Sequence, residues 1–316
     1  MHILITGGTG LIGRSLSAYW LEKGHNITIL SRTPERVAQL CPGAHGTSDL
    51  KTLHNSTPGF DAVVNLAGAP IADRPWTQKR RAILWQSRIS LTQKLVAFLK
   101  HQQHKPALFL SSSAVGWYGN QHDTLITEDS PAQNTDFGSA LCSAWENAAL
   151  QAQEYGARVV TVRTAPVLTA HGGMLRRMVP PFRFGLGGCI GNGLQWMPWV
   201  HLHDIIRIYD TLLNSDSCRG PYNATAPQTI RNQDFTQALA HALHRPAKIN
   251  IPAMALKLTL GEMSSMLLNS QQIRPKRLEE LGYHWAFPEI SPALQDCLSA
   301  HHSNALTATN HRDTSS

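Results

Sequence analysis

Three evenly spaced glycines, Gly7, Gly10 and Gly13, lie in the stretch Thr6-Gly7-Gly8-Thr9-Gly10-Leu11-Ile12-Gly13. A diphosphate needs a turn without Cβ atoms, so that backbone N–H groups can reach its oxygens at the positive end of a helix. These glycines meet that need, and Thr9, Leu11 and Ile12 complete the turn. No Gly-Lys-Ser/Thr follows, which sets the stretch apart from a nucleoside triphosphate loop. Further along come a hydroxyl run, Ser111-Ser112-Ser113, and groups able to move protons, Tyr118, Glu128, Cys142 and Glu146. A phenol or carboxylate buried beside a ligand can be tuned toward neutrality and act as a general acid or base.

The elements around these residues decide what they can do. His2-Ile3-Leu4-Ile5 reads as a buried strand, and Arg14 to Lys23 has helical spacing at Leu16, Tyr19 and Trp20. Strand, glycine turn and helix therefore arrive in the order a dinucleotide requires, whereas a turn that binds nothing needs no such order. A second strand, Asn26 to Leu30, ends at Ser31-Arg32. A carboxylate at this position would bind the 2′-hydroxyl of NAD, while a guanidinium pairs with a 2′-phosphate, so Arg32 points to NADP(H). Phe60 to Leu66 is the next strand and runs into Leu66-Ala67-Gly68, small enough to let a ligand lie on the backbone. A helical segment from Thr77 to Lys100 carries Ser87-Arg88, and the strand Phe109 to Ser113 delivers the serines to a sheet end. There Ser111 is grouped with the cofactor, and Ser113, with Ser112 as its rival, would address a substrate oxygen.

The glycine turn, Asn65-Leu66-Ala67-Gly68, the Ser-Ser-Ser-Ala run with Tyr118-Gly119, and Glu128 resemble the extended short-chain dehydrogenase/reductase superfamily. Ser87-Arg88, Asp136-Phe137 through Trp145-Glu146, Gly185-Leu186-Gly187-Gly188, Gln195 to His201, Arg274-Pro275 and Leu281-Gly282-Tyr283 resemble its atypical epimerase family branch. The resemblance implies an α/β fold, a Rossmann-like doubly wound parallel sheet with a smaller C-terminal α/β substrate lobe. It implies cofactor contacts at Ser31, Arg32, Leu66, Ala67, Arg88 and Val167. The superfamily works through a Tyr-x-x-x-Lys pair, and register puts Phe137 and Leu141 in its place. Neither can move a proton. The literal match, Tyr19 to Lys23, lies in the first helix behind the phosphate turn and is read as coincidence.

Each remaining acid–base candidate has a plain alternative. Glu128 could fix the loop before Pro131, Cys142 could be a small buried hydrophobe, and Glu146 could meet solvent beside Trp145. His201-Leu202-His203-Asp204 is read without a metal, because no third ligand is suitably spaced and Asp204 suits a helix N-cap. A strand near Pro221 to Ala224, a helix from Asn232 to Leu243, a short strand at Lys248 to Ile251 and a helix with Pro275 in its first turn complete the expectations. The apolar residues between Met174 and Trp199 are read mostly as core.

The chain of 316 residues is 42% hydrophobic and 16% charged, as expected of a globular protein. Residues 1–168, joined by about 200–225, are expected to bind the dinucleotide, 169–301 to form the substrate lobe, and 302–316 to be a disordered tail. Five scattered cysteines without a C-x-x-C pair suggest free thiols, and the first strand starts at residue 2, so a cytoplasmic protein is expected. The net charge of +7 is spread in short clusters, Lys79-Arg80-Arg81 and Arg176-Arg177, which favours an anionic small molecule over nucleic acid. No apolar run reaches membrane-spanning length. Two readings remain open for a monomer or homodimer. One is an NADP(H)-dependent oxidoreductase or epimerase acting on a small hydroxyl- or carbonyl-bearing molecule such as a nucleotide sugar. The other is a catalytically inactive NADP(H) sensor or scaffold.

Overall fold

A computed structural model describes residues 1–53, 59–133, 136–170 and 172–299, and the expected tail over 302–316 lies outside them. The strands are β1 (His2–Thr6), β2 (Asn26–Leu30), β3 (His45–Thr47), β4 (Ala62–Asn65), β5 (Leu108–Ala114), β6 (Leu125–Ile126), β7 (Arg158–Thr164), β8 (Val167–Leu168), β9 (Val200–His201), β10 (Gly220–Ala224) and β11 (Gln272–Ile273). The helices are α1 (Leu11–Glu22), α2 (Val37–Leu40), α3 (Gln78–Trp85), α4 (Leu91–Lys100), α5 (Phe137–Leu150), α6 (Leu175–Arg183), α7 (Leu202–Asn214), α8 (Asn232–Ala242), α9 (Ala253–Leu260), α10 (Ser265–Leu268) and α11 (Lys276–Glu280). Residues 290–299 are also helical.

Seven parallel strands form the central sheet in the order β3-β2-β1-β4-β5-β7-β10. This is the doubly wound Rossmann arrangement, with its strand order reversing between β1 and β4, where a crevice opens at the carboxyl ends. Both faces of the sheet are covered, which explains why β1 and β4 are continuous apolar runs. Ile3 and Ile5 pack with Leu16 and Trp20 of α1 and with Ile205, Ile208 and Tyr209 of α7. Leu4 and Val63 face the other way, with Leu95 and Leu99 of α4 and Ala149 of α5. A separate apolar cluster joins Leu175, Val179, Trp199, Phe235, Leu239 and Leu294.

The helical segment expected from Thr77 to Lys100 is continuous, but Gln86–Ser90 winds as a π turn between α3 and α4. Thr77 starts it by accepting the Arg80 N–H at 3.2 Å. Tyr19 of α1 and Lys23 at its C-cap both reach Asp210 of α7, at 3.4 and 2.6 Å. That placement is structural, behind the glycine turn.

Several expectations need correction. The short strand at Lys248 to Ile251 is no ladder. Ile249 and Ile251 donate to the Gly187 and Cys189 carbonyls at 3.0 and 2.8 Å, but only one isolated bridge, Ile190 to Ile251, forms. Asp204 is not an N-cap. The helix starts earlier, His201 occupies the cap, and the buried Asp204 carboxylate accepts the N–H groups of Ala286 and Phe287 at 2.8 and 3.0 Å. Pro275 stands at the N-cap of α11 rather than inside its first turn. Phe184 follows the end of α6 and is 81% exposed, unlike its buried neighbours Phe182 and Trp199.

Candidate functional site

The glycine turn sits at the switch point because β1 and β4 end side by side. Gly7 has φ +69°, and a Cβ there would stand 2.8 Å from the backbone of Leu66 and Ala67. A Cβ on Gly13 would stand 2.6 Å from Gly8 Cα, so only glycine lets α1 start this close to the turn. Gly10 is the N-cap of α1, with no side-chain cap and no acidic residue in the first turn. The first N–H groups of the helix are left for another acceptor. Among the described residues, the Arg32 side chain makes no hydrogen bond or ion pair at the exposed end of β2, while Ser31 Oγ accepts the Thr33 N–H at 3.2 Å.

Beneath the crevice the strand ends are tied together. Ala67 N–H donates to Thr6 Oγ1 at 3.2 Å, and Thr6 Oγ1 donates to Asn65 Oδ1 at 2.7 Å. Asn65 Nδ2 donates to Thr92 Oγ1 at 2.8 Å and to Ser111 Oγ at 3.1 Å. Trp145 Nε1 of α5 donates to the same Thr92 hydroxyl at 3.1 Å. The Ser111 hydroxyl thus belongs to this buried floor. Ser87 Oγ accepts the Ala69 N–H at 3.0 Å, and Arg88, on the π turn, donates to the Ala69 carbonyl at 3.0 Å with its guanidinium against Gly68. Burial lowers the pKa of Arg88, which has no carboxylate partner among the described residues.

Alternation along β5 separates the serines. Ser112 Oγ points to α7, 2.6 Å from Tyr209 Oη. Ser113 falls on the opposite face, the side of α5, and its buried Oγ has no hydrogen-bond partner among the described residues. A hydroxyl orphaned in this way is costly unless a ligand or water completes it.

Tyr118, Glu146 and Glu128 are all held in one buried assembly. Arg163 of β7 donates from Nε and Nη2 to the two Glu146 oxygens, each at 2.9 Å, and from Nη1 to Tyr118 Oη at 2.9 Å. Tyr118 donates to Asn223 Oδ1 at 2.7 Å, and the Asn223 N–H donates to Glu128 at 2.9 Å. The guanidinium carbon lies 3.4 Å from the Trp117 ring centroid. Burial works against the charge on Arg163, and the Glu146 carboxylate more than offsets it, so its pKa is raised. Burial pushes the Tyr118 phenol up to about 12 against the pull of Arg163, and it raises the Glu128 carboxyl against the pull of backbone N–H groups. Glu146 is 7% exposed and does not meet solvent.

Phe137 and Leu141 stand one turn apart on α5, Phe137 with the Arg81 guanidinium carbon 5.1 Å from its ring centroid and Leu141 in an apolar cluster. Phe137 meets Trp76 edge-on with centroids 5.3 Å apart, and Leu141 is buried with Trp76, Leu84, Ile89 and Trp145. Cys142 lies on the same helix, and burial pushes its thiol up to about 12. Thiolate chemistry is therefore closed to it near neutrality. Iodoacetamide at pH 7.5 is expected to leave Cys142 unmodified in the folded protein and to label it after denaturation, as read by peptide mass spectrometry. Rapid labelling of the native chain would contradict that environment.

The far wall of the crevice comes from β8. The Val167 carbonyl accepts the Met174 N–H at 3.4 Å, and Gly172 abuts the Leu11 side chain, so the loop after β8 bends back over the start of α1. Of the two histidines weighed as ligands, His201 faces Asp296, with Nε2 3.2 Å from Oδ2, and its other ring nitrogen accepts the His203 N–H at 3.2 Å. That bond leaves the proton on Nε2. Cys297 Sγ joins the His201 ring and the Asp296 carboxylate within 4.8 Å, so the third candidate ligand that sequence spacing did not signal comes from the C-terminal helix. The basic clusters turn onto the loop before α3. Arg80 and Arg177 donate to the carbonyls of Pro70 and Ala72, and Arg81 donates to the Trp76 carbonyl and pairs with Glu262.

Sequence reasoning gives no role of their own to Thr6, Asn65, Thr92, Arg163 and Glu262. Glu262 accepts the Phe137 N–H at 3.0 Å across 125 positions of sequence, a contact that no local pattern signals.

A parallel, doubly wound sheet with an uncapped glycine turn at its switch point defines a protein of the dinucleotide-binding class. Residues 3–224 match the model of the NAD dependent epimerase/dehydratase family, and 251–297 match a domain of unknown function, DUF1731. An "Epimerase family protein" of Staphylococcus saprophyticus is 35% identical over 295 residues, covering 93% of this chain and 98% of that one. Human epimerase family protein SDR39U1, solved with NADPH, superposes with TM-score 0.85 at 34% identity, covering 94% of this chain and 99% of that one. A nucleoside-diphosphate sugar epimerase of Corynebacterium glutamicum superposes with TM-score 0.74 at 26% identity, covering 99% and 67%. The chain belongs to the NAD dependent epimerase/dehydratase family.

Proposed function

We propose that this protein binds NADP(H) at the glycine turn and acts as an oxidoreductase or epimerase on a small substrate bearing a hydroxyl or carbonyl group. The observation that carries the reading is the uncapped start of α1 held against Leu66 and Ala67 by Gly7, a cradle that any Cβ would fill. The NADPH-bound human relative supports the cofactor, and the Corynebacterium relative makes nucleotide sugars a class to test. When bound, the nicotinamide supplies or accepts a hydride at C4. The N–H groups of Leu11, Ile12 and Gly13 would hold the diphosphate, and Arg32 would pair with the 2′-phosphate. Ser113 Oγ, buried and unpartnered on the α5 side of β5, would hold the substrate oxygen by a hydrogen bond. Phe137 and Leu141 would exclude water there, and since no described side chain joins Ser113 Oγ to solvent, Ser113 would position the substrate oxygen while the proton that accompanies the hydride comes from another donor. The free state of all five cysteines fits a reducing, cytoplasmic setting.

The apolar surroundings of Phe137 and Leu141 also favour a second reading, an NADP(H) sensor without turnover. To separate the two, NADPH absorbance and product stereochemistry would be followed with a panel of carbonyl compounds and nucleotide sugars. Oxidation of NADPH by any member supports the enzyme. Tight NADPH binding with no hydride movement across the panel supports the sensor. Arg32→Ala is expected to lower the preference for NADPH over NADH by about ten- to a hundredfold, the worth of one charge-assisted contact. An unchanged ratio in paired titrations would remove the assignment of Arg32 to the 2′-phosphate.

A further inference from the structure

A second concavity, of about 790 Å³, opens between Asn120, the loop 191–195 and the segment from α9 to α10. Its wall carries four side-chain amides, and each has one end tied to protein. Asn120 Oδ1 accepts the N–H groups of Ser270 and His122 at 2.9 and 3.4 Å, and Asn192 Oδ1 accepts the Leu194 N–H at 3.1 Å. Gln195 Nε2 donates to the Ile190 and Leu267 carbonyls at 3.1 and 3.2 Å, and Asn269 Nδ2 donates to the Asp136 carboxylate at 3.0 Å. These partners accept only or donate only, so they fix which way round every amide sits. Two NH₂ donors, on Asn120 and Asn192, and two carbonyl acceptors, on Gln195 and Asn269, are left over. A hydroxyl both donates and accepts, and a wall that presents both in fixed places suits several hydroxyls on one rigid frame.

The charge on the wall is equally specific. The Lys257 ammonium of α9 makes no hydrogen bond or ion pair among the described residues. Glu262 is neutralised by Arg81 and accepts the Phe137 N–H, which joins this wall to the first turn of α5. Among the described lining residues there is no second cation and no aromatic ring. A nucleobase would find nothing to stack on, and a diphosphate would meet one positive charge.

We propose that this cavity binds the substrate of the neighbouring crevice, and that this substrate is a polyhydroxylated compound carrying one anionic group, a sugar acid or a sugar monophosphate, rather than a nucleotide sugar. The proposal rests on the function proposed above and narrows its substrate class. Lys257 holds the anion, and the four amides hold hydroxyls.

Calorimetric titration of the full chain, with and without saturating NADPH, tests it with four probes: D-gluconate, glucose 6-phosphate, UDP-glucose and sorbitol. One of the two monoanionic sugars is expected to bind at least about tenfold more tightly than sorbitol and UDP-glucose, a margin of one charge-assisted contact. Whichever wins tells carboxylate from phosphoryl. Lys257→Gln is expected to weaken that ligand about tenfold and to leave NADPH binding unchanged. Tightest binding of UDP-glucose, no binding of either anionic sugar, or an unaffected Lys257→Gln variant would overturn the proposal. NADPH binding with no sugar bound would strike this inference alone, whereas sugar binding without NADPH binding would strike the cofactor reading alone.

Discussion

Glu146→Ala is expected to lower the stability of the folded chain by about 3–5 kcal/mol, because it leaves a buried guanidinium without its counter-charge. The Arg163 and Glu146 side chains are 3% and 9% exposed, and both guanidinium contacts are 2.9 Å long. Without the carboxylate, Arg163 keeps only Tyr118 and the Trp117 ring, which cannot repay its desolvation. At roughly 2–4 °C per kcal/mol for a chain of this order of size, the thermal midpoint should fall by about 6–20 °C. Replacing both partners together, with Glu146→Leu and Arg163→Met, should recover most of the loss, since no lone charge then remains buried. A general acid would behave differently, with Glu146→Gln abolishing turnover at nearly unchanged stability. Calorimetric melting of the three variants decides, and a midpoint for Glu146→Ala within about 1 °C of the parent would refute the clamp.

Gly13→Ala should abolish nicotinamide nucleotide binding while leaving a folded protein. The added carbon would meet the backbone of Gly7 and Gly8, including Gly8 Cα at 2.6 Å, and backbone cannot swing aside as a flexible side chain can. The helix must then retreat from the turn, carrying its first N–H groups out of reach of a diphosphate. Loss of two charge-assisted bonds corresponds to about a hundredfold or more in affinity. The accompanying overpacking costs about 1–3 kcal/mol, which circular dichroism and melting can register separately. NADPH titration by fluorescence gives the affinity, and parental binding by Gly13→Ala would mean that the cofactor is held elsewhere.

Strands buried on both faces were the most legible part of the fold, because β1 carries the apolar run Ile3 to Ile5, β2 alternates around Ile27 and Ile29, and β5 opens on Leu108 to Leu110. The strand β3 was invisible, since His45–Thr47 is three residues long with a central glycine and is recruited only by pairing with β2. Lys248 to Ile251 looked like a strand, yet its partner segment carries Gly187 and Gly188 and supports a single bridge. At the site, the glycine turn was legible because its strand, glycines and helix are contiguous in sequence, and the structure places Arg32 just past the end of β2. The division of labour among the serines was not legible, because it depends on which face of β5 each residue meets. Glu146 and Arg163 lie on a helix and a strand, and their pairing follows from how α5 packs on β7, which sequence spacing does not encode. Glu262 was out of reach for the same reason at a much larger separation.

The hydrogen-bonded line from Ala67 through Thr6, Asn65 and Thr92 to Trp145 spans β1, β4, α4 and α5 without passing through solvent. Such a brace makes the crevice floor mechanically stiff, so an entering ligand meets a surface that is already set. By contrast, the segment from α9 to α10 touches the start of α5 through the side chains of Glu262 and Asn269. Met263 adds a buried contact with Leu141 and Trp145, whereas α9 buries none of its own residues, so whatever opening or closing accompanies ligand exchange would be borne by that helix, with the floor acting as anvil.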